Sequence, residues 1–183
     1  MLFFDSDGVF ANWSGYVLPT HFPDLKDVDE LNALPKSVYE PRMRAVYITD
    51  PDIFSKLAPI TGSECMIAAC EELGIPWSIL TAAGEDHYSY DHVRVCKEQW
   101  FSRYHNLPVE KVVVSRRSSD KKLYAGPGRV LVDDFLRNCE EWVAAGGTAI
   151  HCKSNEPNFK EILRIIKQCH EQAFVISPEV ISV

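Results

Sequence analysis

The chain has 183 residues, 46% apolar and 25% charged, ordinary usage for one globular domain or one core with a modest insertion. Nineteen Lys and Arg against twenty-six Asp and Glu leave a net charge of −7, which argues against a protein that grips long nucleic-acid strands, since such domains are usually basic. No apolar run approaches the roughly 20 residues of a membrane-spanning helix, and the start MLFFDSDGVF lacks the basic region of a signal peptide.

In chain order, Leu2 to Asp5 is a short apolar run ending in an acid, which predicts a buried strand. Residues 12 to 60 are punctuated by Pro19, Pro23, Pro35, Pro41, Pro51 and Pro59, and predict an insertion of short helices and loops. A helix is expected from Thr61, with Met66, Ile67, Cys70 and Leu73 at helical spacing before Gly74 stops it. Trp77 to Thr81 reads as a strand, Ala82 to Tyr90 as a loop. Asp91 to His105 reads as a helix with Val93, Cys96, Trp100 and Tyr104 along one stripe. Val112 to Val114 predicts a strand and Asp120 to Ala125 a helical turn. Arg129 to Val132 is a strand running into Asp133 and Asp134. Asn138, with Glu141 three residues on, predicts a helix N-cap, and Gly146-Gly147 its close. Thr148 to Cys152 is another strand, Pro157 opens an amphipathic helix through Ile162, Leu163, Ile166 and Cys169, and the tail from Phe174 to Val183 is an edge strand or a surface segment. Cys65, Cys70, Cys96, Cys139, Cys152 and Cys169 form no C-x-x-C pair and are expected as reduced thiols in a cytoplasmic protein.

Strands alternating with helices predict an α/β fold, a parallel sheet with helices on both faces. Ligands of such sheets bind beyond the carboxyl ends of the strands. Asp5 ends the first strand, Thr81 the second and Asp133-Asp134 the fourth, and Lys121 follows the third. Asp5 and Asp7, two apart on extended chain, point the same way, and Gly8 lets the backbone turn sharply afterwards. Such a pair supports nucleophilic attack by one carboxylate and proton transfer by the other; the same pattern also makes a plain Asp-Gly corner. Adjacent Asp133 and Asp134 repel each other unless a cation is present, and hard oxygen ligands suit Mg²⁺; helix N-termini also attract such acids. The Thr81 hydroxyl and the amides of Ala82, Ala83 and Gly84 can hold phosphate oxygens. Lys121 and Lys122 balance negative charge, within a cationic stretch of Arg116, Arg117, Lys121, Lys122 and Arg129 expected near the same edge.

The sequence resembles the haloacid dehalogenase (HAD) superfamily. Phe3 to Val9 (FFDSDGV) resembles its first motif, Ile79-Leu80-Thr81 the second, Asp120-Lys121 the third, and Leu131-Val132-Asp133-Asp134 the fourth. The resemblance implies a Rossmann-like core, with Asp5 as aspartyl nucleophile, Asp7 as general acid/base, Thr81 as phosphoryl ligand and Lys121 as the charge-balancing lysine. It implies a Mg²⁺ cofactor held by Asp5, Asp7 (through its carbonyl), Asp133 and Asp134, one of the last two directly.

The insertion falls where HAD enzymes carry a cap, which divides the chain into a core of 1–11 and 61–183 and a small helical cap of 12–60. Val38-Tyr39-Glu40, the run from Ile53 to Gly62, and Lys97-Glu98-Gln99-Trp100-Phe101 resemble the 5'(3')-deoxyribonucleotidases. That implies a nucleoside monophosphate substrate, with Trp13, Phe54, Tyr47 and Ala82 as binding residues. Competing expectations are a phosphatase of sugar phosphates or 3'-phosphate ends, a phosphoacceptor signalling module, and a non-catalytic relative. The sequence leaves the oligomeric state open, a homodimer included.

Overall fold

The computed structural model describes residues 1–84, 89–172 and 177–183. Six strands form one sheet, β1 (Leu2–Phe4), β2 (Trp77–Ala82), β3 (Val112–Ser115), β4 (Val130–Asp133), β5 (Thr148–His151) and β6 (Val180–Ser182). They pair in the order β3-β2-β1-β4-β5-β6, every pair parallel. From β1 the chain winds outward first on one side and later on the other. The carboxyl ends of β1 and β4 therefore flank the crevice where the strand order reverses, the usual ligand position in open α/β sheets.

The strands are near-continuous apolar runs because helices cover both faces. Alternate residues divide between two clusters. Phe4, Ile79, Val132 and Ile150 join one with α5 (Glu64–Glu72), α6 (Tyr90–His105) and α8 (Phe159–Glu171). Phe3, Leu80, Leu131 and Ala149 join the other with Cys139 and Trp142 of α7 (Leu136–Ala144).

Four helices lie in the predicted insertion: α1 (Trp13–His21), α2 (Val28–Asn32), α3 (Lys36–Thr49) and α4 (Ile53–Lys56). The buried residues of this region, Val17, Phe22, Leu31, Met43, Val46, Ile53 and Phe54, belong to the first cluster rather than to a core of their own. Buried Asp50 binds this region together, accepting from Tyr16 Oη at 2.8 Å and Lys56 Nζ at 2.5 Å.

Three expectations need correction or completion. Helix α7 starts at Leu136, so Asn138 is not its N-cap; it lies buried in the first turn with its side chain turned back toward Asp133. Arg129 precedes β4 and donates to the Tyr124 carbonyl at 2.7 Å, which puts it at the amino edge of the sheet, away from the acids. The tail forms β6, an edge strand on β5, over Val180–Ser182. The start of that tail prediction (Phe174 to Ile176) and the middle of the predicted loop (residues 85–88) lie outside the described residues. All six cysteines are free thiols, and among the described residues no helix is long and apolar enough to cross a membrane.

Candidate active site

Asp5 leaves the end of β1 with its amide still bonded to the Val132 carbonyl at 2.8 Å, so its position is fixed by the sheet. Its Oδ1 accepts from the Ser6 amide at 2.7 Å and lies 2.8 Å from Lys121 Nζ. Lys121 belongs to a 3-10 turn over Ser118–Tyr124 and is buried; its Nζ also meets Asp133 Oδ2 at 2.7 Å. One ammonium thus bridges two carboxylates that arrive from adjacent strands. Burial alone lowers the Lys121 pKa, but Asp133 and Asp5 outweigh it and hold the group above the ordinary lysine value. Lys122 is exposed and lies 3.5 Å from Glu141.

Asp133 is fully engaged by protein donors. Oδ1 accepts from the Phe135 amide at 2.8 Å, Oδ2 from Lys121, and the Asn138 side-chain amide reaches both oxygens at 3.1 and 3.0 Å. Burial, countered by Lys121 and reinforced by Asp5, pushes its carboxyl up to about 6. Asp134 is raised well above the carboxylate range by burial, then by Asp133 and Asp5, with a bond to Ser154 opposing. The turn after Asp7 passes close by: Gly8 has φ +78°, and a Cβ there would overlap the Asp134 carboxylate.

Asp5, Asp133 and Asp134 bring carboxylate oxygens within 4.8 Å of one another. The donors are hard oxygens, buried at Asp5 and Asp133 and half-buried at Asp134, and countered by one lysine where three charges meet. That set fits a divalent cation of the Mg²⁺ kind.

Asp7 is held differently. Its Oδ2 accepts from Lys97 Nζ at 2.6 Å, and the same Nζ donates to Thr81 Oγ1 at 2.8 Å. Burial raises the Asp7 carboxyl, with Lys97 opposing and Asp5 adding. Thr81 is buried near the end of β2, and Ala82 is that strand's last residue. The structure therefore brings Asp5, Asp7, Thr81, Lys121, Asp133 and Asp134 to one sheet edge.

The aromatic candidates divide. Tyr47 is half-buried beside Gly84. Trp13, the first residue of α1, packs half-buried against the main core. Phe54 is 3% exposed and stacked on Tyr47, with Lys97 Nζ 4.2 Å from its ring centroid, so it offers no open face to a base. Lys97 is the polar residue that sequence reasoning did not single out as a site residue. Its signal is a lysine inside the apolar stripe of Val93, Cys96, Trp100 and Phe101, four residues after the first and three before the Trp.

Two clefts lie in the region, of which the larger includes one of the acids. One, of about 430 Å³, lies between α2, α3 and α7 and is lined by Asn32, Lys36, Tyr39, Tyr47, Arg137 and Asn138 among others. The other, of about 1140 Å³, includes Asp134, His151 and Ser154.

No protein-family profile and no curated protein sequence matches the chain. Solved structures do match its fold. A HAD hydrolase, family IA, variant 3 from Entamoeba histolytica superimposes with a TM-score of 0.56 at 13% identity, covering 100% of this chain and 91% of that one. A phosphonoacetaldehyde hydrolase-like protein from Oleispira antarctica gives 0.54 at 13% identity, over 98% and 86%. A HAD-superfamily hydrolase from Ehrlichia chaffeensis gives 0.53 at 12%, over 91% and 95%. The chain has the Rossmann-like α/β fold seen in these hydrolases.

Proposed function

We propose that the protein is a Mg²⁺-dependent phosphatase that hydrolyses nucleoside monophosphates through an aspartyl phosphate on Asp5. The observation that carries this reading is the buried Lys121 ammonium bridging Asp5 and Asp133 at 2.8 and 2.7 Å, with Asp7 two residues along. Phosphoryl transfer depends mainly on positioning and on neutralising charge, which this cluster is built to do.

Both fixed contacts of Asp5 use Oδ1, so Oδ2 is the oxygen that attacks phosphorus. The ester P–O bond breaks, and the leaving alkoxide takes a proton from Asp7, whose raised carboxyl suits a group that carries one. Asp7 then takes a proton from water, which attacks phosphorus and frees Asp5 and inorganic phosphate. The Thr81 hydroxyl and the amides after β2 hold phosphoryl oxygens, and Lys121 steadies the nucleophile. Mg²⁺ would be held by Asp5, the Asp7 carbonyl and Asp134, and when bound it supplies charge neutralisation at the phosphoryl group. Asp133, already occupied by Lys121, Asn138 and the Phe135 amide, supports from behind.

Residues 12–60 serve as the cap, and the 430 Å³ cleft beneath it falls in the range of small-molecule sites. Tyr39 and Tyr47 give it aromatic walls suited to a base, while its cations Lys36 and Arg137 are paired with Glu40 and Glu141, which line it too. The test is phosphate release from deoxy- and ribonucleoside 5'- and 3'-monophosphates and from sugar phosphates, in Mg²⁺ and in EDTA. The expected result is Mg²⁺-dependent turnover of nucleotides. Turnover of a sugar phosphate with none of any nucleotide would overturn the substrate assignment, and no turnover of any ester would overturn the phosphatase reading.

A further inference from the structure

Lys97 is a cation for which the reaction scheme has no step. It is 2% exposed, and lysine is almost never buried without partners. Two of its three N–H donors go to Asp7 Oδ2 and Thr81 Oγ1, at 2.6 and 2.8 Å, and the Phe54 ring lies against the ammonium at 4.2 Å. Held in this way, Lys97 ties together two side chains of the proposed site, Asp7 and Thr81. Its effect on each is directional. The second oxygen of Asp7, Oδ1, is buried and has no hydrogen-bond partner among the described residues. A hydroxyl has one donor and two acceptor lone pairs. Thr81 uses a lone pair on Lys97, which turns its proton toward some other oxygen.

We propose that Lys97, itself anchored on Thr81 Oγ1, is a positioning residue for Asp7: with Oδ2 clamped, Asp7 presents Oδ1 to the leaving-group oxygen. The proposal rests on the phosphatase reading above and adds which step Lys97 governs. That step is protonation of the departing oxygen, so Lys97 matters most for esters of alcohols that leave poorly without a proton. Phe54 extends the same contact into α4, so the insertion helps hold the ammonium in place.

The experiment compares first-turnover release of the alcohol from a nucleoside 5'-monophosphate and from p-nitrophenyl phosphate, whose phenolate leaves without a proton. Lys97→Met keeps the length and loses the charge and donors. It should slow nucleoside release by about 100-fold, the lower end of what a positioned acid contributes, and p-nitrophenol release by less than about tenfold. Asp7→Asn should show the same selectivity, and the double variant should be no slower than Asp7→Asn alone, within about threefold, because both changes remove one unit. Equal slowing of both esters, or losses that multiply in the double variant, overturns the proposal. If Lys97→Met does not fold, Lys97→Gln takes its place in the same cycle. Failure of both to fold makes the residue structural and also overturns it. A wild-type protein inert toward both esters overturns the phosphatase reading and this proposal together, whereas an active wild type with equal slowing removes only the role of Lys97.

Discussion

Asp133 and Asp134 are neighbours in sequence with opposite circumstances. Asp133 is wholly buried and satisfied by Lys121, Asn138 and the Phe135 amide. Asp134 has a bond to Ser154 and otherwise faces the repulsion of Asp133 and Asp5. The two should therefore respond differently to the same substitution. Asp133→Asn puts a donor where the carboxylate accepts from Lys121, Asn138 and the Phe135 amide, leaving buried donors without an acceptor, which should cost about 1–3 kcal/mol of stability in urea unfolding. Asp134→Asn removes a charge that burial disfavours, so in EDTA it should leave the thermal midpoint unchanged or raise it. In activity assays the order reverses for the metal: Asp134→Asn should raise the Mg²⁺ concentration giving half-maximal rate by at least about tenfold. Similar losses of stability in EDTA for both variants would contradict this division of labour.

The first turn of α7 shows how an element delivers such a contact. Asn138 sits three residues into the helix, its Nδ2 on both Asp133 oxygens and its Oδ1 accepting from Ser118 Oγ at 2.6 Å. It ties the helix to β4 and to the turn that carries Lys121. Asn138→Ala should cost about 1–3 kcal/mol, read as a lower urea midpoint with an unchanged slope, because buried acceptors lose their donor. Sequence pattern placed a cap at this residue because Asn followed by Glu three later has that form; the chain had already turned helical at Leu136. The strands were legible for a simpler reason, since runs such as Leu2–Phe4 and Val130–Val132 are buried on both faces and carry no competing period. The insertion was legible as short helices and loops, but not where each helix runs. Pro19 and Pro41 lie inside α1 and α3, where a proline rule reads an end rather than a middle. The acids at the strand ends could be found by position, because a parallel sheet sends its carboxyl edge to the ligand. Lys97 could not be found that way, since it comes from the middle of a helix and reaches the site by length. Arg129 was misplaced for the converse reason: it precedes its strand, and the sheet sends it to the other edge.

Across the whole molecule, the main cluster of buried residues runs without a break from the sheet into α1 to α4. The insertion should thus unfold with the sheet in one transition, coincident by near- and far-ultraviolet dichroism, and a separate early transition would contradict a shared core. The same molecule carries its net charge of −7 unevenly, with Asp5, Asp7, Asp133 and Asp134 gathered around two lysines. The energetic consequence follows from the direction of their shifts. Asp7, Asp133 and Asp134 have carboxyls raised in the folded state, Asp133 to about 6. As pH rises from the ordinary carboxylate value near 4 through about 6, the unfolded chain has lost these protons while the folded protein still binds them. The stability they support is present in acid and is lost as pH rises through that window. His105, lowered by burial, works the other way, but it does not touch the acids and a metal comparison cancels it. A divalent cation bound there would take the place of those protons, so it should stabilise most where they are gone. Mg²⁺ should raise the thermal midpoint above its value in EDTA by more at about pH 7.5 than at about pH 5.5. A Mg²⁺ shift of equal size at both values would mean that the buried acids are not where the cation binds.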